Sequence, residues 1–203
     1  MNYKLAYSIG FHPWEDAERH MPFVEKINEM FAREESGKVA PFGKALDIGC
    51  GSGIWGINLS KRGWEVTSVD IVDKALQRAR ERIAKEGVNV KLVKGDVTDL
   101  KATEIGSGYK FVLDTGTFHG LSHAHRIAMG KSINSVTAGD ATLLLLVWDP
   151  KKRGPLPGGA SRDEIEMCFP EWKITHVEVA DTNPPGILKL LKANENWYRL
   201  CRK

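Results

Sequence analysis

Apolar residues along the middle of this chain come in two alternating rhythms. Short runs at 44–48, 64–69, 88–93, 109–113 and 141–148 have the length and apolar content of strands, and Asp70 and Asp114 stand directly after two of them. Between the runs the spacing becomes helical. Ile54, Ile57, Asn58 and Lys61 open a helix that Gly63 stops; Leu76, Ala79, Arg80 and Ile83 mark another over 73–86; Ile127, Ser132, Ile133 and Val136 mark a third over 122–137. Upstream, Phe23, Ile27, Met30 and Phe31 predict a helix over 22–35, with a proline at its first position and Gly37 after its end. Downstream, Ser161-Arg162-Asp163-Glu164 has the spacing of a capping box and predicts a short helix to Phe169, followed by closing strands at 172–179 and 196–201.

Strand and helix in alternation specify an open sheet with helices on both faces. The expected fold class is α/β: a Rossmann-like doubly wound sheet of seven strands, mostly parallel with an antiparallel last strand. A chain of 203 residues fits one domain, 1–203, large enough to bury a core without disulfides or metals. Its subdivision is a stretch 1–37, a core 44–149 and closing elements 150–203. Within the first, residues 3–22 are aromatic, polar and punctuated by Pro13 and Pro22, which reads as an irregular arm.

Composition narrows the partners. Hydrophobic residues at 42% and charged residues at 27% are the proportions of a globular protein rather than a disordered one. A net charge of +3 is too slight for a nucleic-acid face, and the one dense basic run, Lys151-Lys152-Arg153, reads as a solvated loop. Cys50, Cys168 and Cys201 are odd in number and lack metal or disulfide spacing, which suits buried apolar groups in a reducing compartment and no metal centre. Residues 1–10 lack the apolar core of a signal peptide, and the longest apolar run, 143–148, is far too short to cross a bilayer. The expected location is the cytoplasm.

The chemistry concentrates in Ala45-Leu46-Asp47-Ile48-Gly49-Cys50-Gly51-Ser52-Gly53, a strand that breaks into a glycine-rich turn and leads into a helix. Alternate glycines allow a ligand to approach main chain. Asp47, Asp70, Asp96 and Asp114 fall at or just beyond predicted strand ends, and in a parallel sheet such ends share one edge, where ligands bind. Singly, each aspartate also suits a cap or a turn; together they point to a nucleoside site. Two ligand classes fit. The glycines with Asp70 loosely match a dinucleotide fingerprint, whereas Asp47, a carboxylate just ahead of the first glycine, would repel a pyrophosphate and favour a cation. S-adenosylmethionine, with its sulfonium and ammonium, is such a cation.

Residues 46–53, Leu-Asp-Ile-Gly-Cys-Gly-Ser-Gly, resemble the first motif of class I S-adenosylmethionine-dependent methyltransferases, and the likeness covers 44–148. It implies that the backbone of Gly49, Cys50, Gly51 and Gly53 meets the methionine part of the cofactor and Asp70 its ribose hydroxyls. It further implies that Ile71 packs on adenine, Asp96 and Val97 flank the adenine amino edge, and Asp114 lies near methionine and acceptor. The pieces His12-Pro13-Trp14-Glu15, Asp114-Thr115-Gly116-Thr117-Phe118-His119-Gly120-Leu121 and the Pro/Gly loop before Ser161 are similar to the thiopurine and heterocyclic-toxin methyltransferase branch. That branch methylates small aromatic or heterocyclic molecules and folds its N-terminal arm over the cofactor, which makes Trp14 a candidate lid residue.

Methyl transfer needs alignment of an acceptor lone pair with the methyl group, exclusion of water and, for a protonated acceptor, a base. His119, beside Asp114, is the candidate base or acceptor-binding residue, with packing as its plainer role. The Pro-Pro motif of DNA and amide methylation is absent after Asp114; Asn183-Pro184-Pro185-Gly186 reads as a turn. An RNA or protein methyltransferase, a non-catalytic cofactor-binding module and an NAD-dependent oxidoreductase are the alternatives to a small-molecule acceptor.

Overall fold

The computed structural model describes residues 20–151, 157–180 and 194–203. Helix α1 (Met21–Glu35) precedes the alternating core: β1 (Lys44–Ile48), α2 (Ile54–Arg62), β2 (Glu65–Asp70), α3 (Asp73–Glu86), β3 (Val90–Lys94), β4 (Tyr109–Asp114), α4 (His123–Val136) and β5 (Thr137–Trp148). Then follow α5 (Arg162–Cys168), β6 (Trp172–Val179) and β7 (Glu195–Arg202). Their order in the sheet is β3-β2-β1-β4-β5-β7-β6. β1 to β5 pair in parallel, and β7 runs antiparallel to both neighbours, so the expected seven strands with an antiparallel last one are what the chain forms. No described helix is long and apolar enough to cross a membrane.

Strand alternation divides the core between the two faces of the sheet. Leu46, Ile48, Val112, Leu143 and Leu145 point to the face covered by Met129 and Ile133 of α4 and Ile165 of α5. Ala45, Phe111, Leu113, Leu144 and Leu146 point to the opposite face, where Phe23, Ile27 and Phe31 of α1 and Trp55 and Leu59 of α2 close over them. By the same alternation Asp47 belongs to the α2 face. The helix passes close there because residue 56 is glycine: a Cβ on Gly56 would lie 2.4 Å from Ser68 Oγ and 3.1 Å from Asp47 Oδ2.

Helices α4 and α5 cross equally closely. A Cβ on Gly130 would lie 2.0 Å from the Cys168 carbonyl oxygen, a backbone atom that cannot rotate away. Gly130→Ala is therefore expected to cost about 2 kcal/mol by the overpacking of a filled core. Urea denaturation checks it, and a loss within about 0.5 kcal/mol, the ordinary surface range, would show that the crossing yields easily.

Two differences from the sequence expectation have physical causes. β5 begins at Thr137 rather than at 141, because Tyr109 pairs with Thr137 across a register shift, and the residues 137–140 that extend it carry no apolar alternation. Short 3-10 turns at Leu100–Thr103 and Phe118–Gly120 are too brief to show a period. Ser161 does cap α5, its hydroxyl accepting from the Glu164 N–H at 3.2 Å. The Glu164 carboxylate, however, turns to His123 and Arg126.

Candidate active site

The strand order reverses at β1, whose neighbours β2 and β4 lead off in opposite directions, and a crevice opens at such a point beyond the carboxyl ends. Register brings the candidate residues level, because Ile48 lies beside Val69 on one side and Asp114 on the other. The glycine turn, Asp70 and the turn after Asp114 therefore leave the sheet together.

Gly49, Gly51 and Gly53 all have positive φ, and Gly53 caps α2. Gly49 is required by packing as well as by conformation. A Cβ there would lie 1.8 Å from Thr117 Oγ1, whose hydroxyl donates to the Ile48 carbonyl at 3.3 Å. Cys50, between them, is buried, and burial above all, followed by Asp47 and Asp70, pushes its thiol well above the usual range. It stays a neutral thiol.

Asp47 is 1% exposed beneath this turn. Ser68 Oγ donates to its Oδ2 at 3.3 Å, while among the described residues Oδ1 has no hydrogen-bond partner, nor does the buried Ser52 hydroxyl in the turn itself. Burial pushes the Asp47 carboxyl up to about 7; Ser68 and the Gly56 backbone pull it down, and the charges of Asp70 and Asp114 add to the rise. The charged neighbours that raise it, Asp70 and Asp114, are carboxylates, so three acidic groups crowd this edge.

Asp70 accepts from the Gly51 N–H at 2.9 Å and the Val72 N–H at 2.8 Å, which locks the second glycine to the end of β2. Ile71 beside it, directly after the end of β2, is 44% exposed. Asp96 is exposed and forms a local turn, its Oδ1 accepting from the Thr98 N–H at 2.9 Å and hydroxyl at 2.8 Å. Val97 is a core residue, so only its backbone can reach a ligand. Asp114 is fully buried and accepts from Gly116, Thr117 and Phe118 N–H groups at 2.6 to 2.9 Å. Burial raises it to about 6 against the pull of those three donors. The carboxylate thereby shapes the turn that presents His119.

The His119 ring is buried and stacks on Trp148, with centroids 4.9 Å apart and planes 22° apart. Its Nδ1 lies 3.3 Å from the Leu146 carbonyl, which can only accept, so in that contact Nδ1 carries a proton. Sequence reasoning missed Trp148, Thr117, Ser68 and Arg126. Trp148 could have been flagged by its place at the carboxyl end of the most apolar strand. Thr117 and Ser68 make their contacts across long sequence distances, and Arg126 joins its neighbouring turn to the distant Gly159 and Glu164. Trp14 and the arm, Lys152 and Arg153, and Asn183-Pro184-Pro185-Gly186 lie outside the described residues. Among the described residues no group of His, Cys, Asp and Glu side chains is placed to hold a metal ion.

Buried carboxylates at the switch point of a doubly wound sheet, beneath a left-handed glycine turn, mark a Rossmann-like nucleoside-binding fold. The family model of the methyltransferase domain matches residues 45–139. Haemophilus influenzae TehB, a probable S-adenosyl-L-methionine-dependent methyltransferase, is 31% identical over 83% of this chain and 57% of its own length. The S-adenosyl-L-methionine-dependent Diels-Alderase iliD of Neonectria is 32% identical over 66% of this chain and 57% of its own length. Among solved structures, the N-methyltransferase NodS of Bradyrhizobium japonicum superposes with a TM-score of 0.71 at 14% identity, over 89% of this chain and 88% of that one, a likeness of fold. The match and these relatives identify the core, residues 45–139, as a class I S-adenosylmethionine-dependent methyltransferase domain, whose cofactor is S-adenosylmethionine. It spans about half the length of the curated relatives it matches.

Proposed function

We propose that this chain transfers the methyl group of S-adenosylmethionine to O, N or S of a small aromatic or heterocyclic molecule, in the cytoplasm, as the thiopurine-like branch does. The observation that carries the acceptor class is the stack of buried His119 on half-buried Trp148 beside the Asp114 turn: an aromatic wall suits a planar small molecule. In this reading residues 1–37 close the cofactor site, with Trp14 as lid, 44–149 hold the cofactor, and 150–203 build the acceptor side of a single domain.

The cofactor supplies an activated methyl group on a sulfonium. The chain's own residues then bind and align. The backbone of Gly49, Cys50, Gly51 and Gly53 faces the methionine part, Asp47 supplies counter-charge, and Asp70, fixed at the end of β2 by the Gly51 and Val72 N–H groups, turns its carboxylate to the ribose hydroxyls. Ile71 covers the adenine, with Asp96 and the Val97 backbone at its edge. His119 accepts the proton of a protonated acceptor or orients a neutral one, and Asp114 acts by holding the turn that carries it.

Incubation with methyl-labelled S-adenosylmethionine and a panel of phenols, thiols and heterocyclic amines, beside total RNA and protein, tests the reading. Label in a small molecule is expected. Label only in RNA or protein would replace the acceptor class. The likeness to a cofactor-dependent Diels-Alderase favours a second outcome, cofactor binding with no methyl transfer, and the same assay separates it. Asp70→Ala is expected to weaken cofactor binding by about tenfold or more, as lost hydrogen bonds to a ribose would. Calorimetry reads that loss, and an unchanged affinity would remove Asp70 from the ribose site.

A further inference from the structure

Arg126 is a buried arginine near the start of α4 that the proposed chemistry does not use. Its guanidinium donates through Nε to the Phe118 carbonyl at 3.1 Å and through Nη2 to the carbonyls of His119 at 2.9 Å and Gly159 at 2.8 Å. Nη1 pairs with Glu164 Oε2 at 2.7 Å, and the plane lies 5.3 Å from the centre of the Phe118 ring. A buried cation is costly unless its donors are satisfied, and here the satisfied partners come from separate segments: the His119 turn, the loop before α5, and α5 itself.

The turn at Phe118–Gly120 is held from both ends. Asp114 takes the N–H groups that open it, and Arg126 donates to the carbonyls of Phe118, which also accepts from the Leu121 N–H, and of His119. The Gly159 loop seats on the strand that carries Trp148. Gly159 has φ +73°, and a Cβ there would lie 2.5 Å from the Trp148 carbonyl and 2.2 Å from that of Asp149. The Ala160 N–H also donates to the Trp148 carbonyl at 3.0 Å. A closed circuit results, from Arg126 to the His119 backbone, through the stacked rings to Trp148, along the loop to Gly159 and back to Arg126.

We propose that Arg126 is the positioning residue of the acceptor side, holding the His119 ring and the Gly159 loop in one register through their backbone carbonyls. The inference rests on the proposed role of His119 in acceptor binding. Lysine cannot replace it, because one ammonium cannot serve three carbonyls and a carboxylate arranged around a planar fork. The described contacts of Arg126 are with the Phe118–Gly120 turn, the Gly159 loop and Glu164, on the far side of Thr117 from the glycine turn, so its loss acts first on the acceptor side.

Arg126→Lys and Arg126→Gln test this, with Glu164→Gln as the milder variant should either fail to fold. In histidine-labelled protein the His119 ring signal is shifted by the Trp148 face in the wild type. In the variants it is expected to move toward the position of an exposed imidazole while the His176 signal stays. S-adenosylmethionine affinity by calorimetry is expected to stay within about threefold. Turnover of whichever panel acceptor the wild type methylates is expected to lose about tenfold or more in kcat at unchanged cofactor KM, as small misplacements of reacting groups do. A folded Arg126→Gln protein with an unmoved His119 signal, or with unchanged turnover, would reduce Arg126 to a packing residue. If the wild type methylates no acceptor, the proposed function fails, and the ring signal with the cofactor affinity still decides whether Arg126 sets the His119 register.

Discussion

Asp47→Asn is expected to make the cofactor-free protein more stable and the cofactor bind less well. Burial lifts the Asp47 carboxyl from 3.8 to about 7, so the folded state binds its proton more tightly than the unfolded chain does. For a group raised on folding, the stabilisation is fully present below pH 3.8 and is lost as pH rises through about 7. At pH 8 the wild type therefore carries an ionised, under-partnered carboxylate at a cost of about 2 to 4 kcal/mol. Asparagine of the same shape removes that charge and should raise the melting temperature at pH 8 by roughly 5 to 10 °C for a domain of this size. Below about pH 3.8, where Asp47 is protonated in the folded and unfolded chains alike, the two proteins should melt within a degree or two of each other, and the gap should open as pH rises from there through about 7. Cofactor affinity should move the opposite way and fall by about tenfold or more, because the counter-charge for the bound cation is gone. A parallel fall in stability and affinity would mean that Asp47 is simply a structural carboxylate.

Gly49→Ala is expected to destabilise the fold by about 3 kcal/mol, one part from a left-handed backbone and one from overlap with Thr117. The second part is separable. With Thr117→Ala in the same chain the nearest clash is removed, and the double variant should recover to within about 1 to 2 kcal/mol of the Thr117→Ala single variant, the residual being backbone strain. Urea denaturation of the four proteins reads the coupling. If Gly49→Ala costs the same with and without Thr117, the contact between the two turns carries no energy. In the proposed function the pair couples the two substrates, because Thr117 ties the turn assigned to the acceptor side to the turn assigned to the cofactor.

These two positions show how far the sequence can be read. Period and punctuation were enough for β1, β2, α3 and β4, since each apolar run ends at an aspartate or a glycine whose local preference agrees with the tertiary structure. They were also enough to bring Asp47, Asp70 and Asp114 to one edge, because a parallel sheet fixes where strand ends lie. Asp96 and Asp114 illustrate the remainder. Both stand where expected, yet their carboxylates are engaged by nearby N–H or hydroxyl groups, a local choice that residue type does not reveal. Gly49 reads as a ligand-facing glycine and is equally a packing glycine, because its neighbour Thr117 is remote in sequence. Arg126 looks like the solvated face of a helix start; only the fold shows it buried against three carbonyls.

The most direct measurement of the central claim, that Asp47 and the glycine turn form the cationic cofactor's site, is a calorimetric titration of S-adenosylmethionine at pH 7 in two buffers of different ionisation enthalpy. A cation bound near a carboxylate poised at about 7 lowers its affinity for protons. The account predicts binding with net proton release, seen as a buffer-dependent heat, with affinity rising up to about tenfold per pH unit below pH 7 and levelling above it. Asp47→Asn should abolish the buffer dependence, and NAD should give no binding heat. No binding of S-adenosylmethionine, or binding with the same heat in both buffers and no pH dependence, would contradict it.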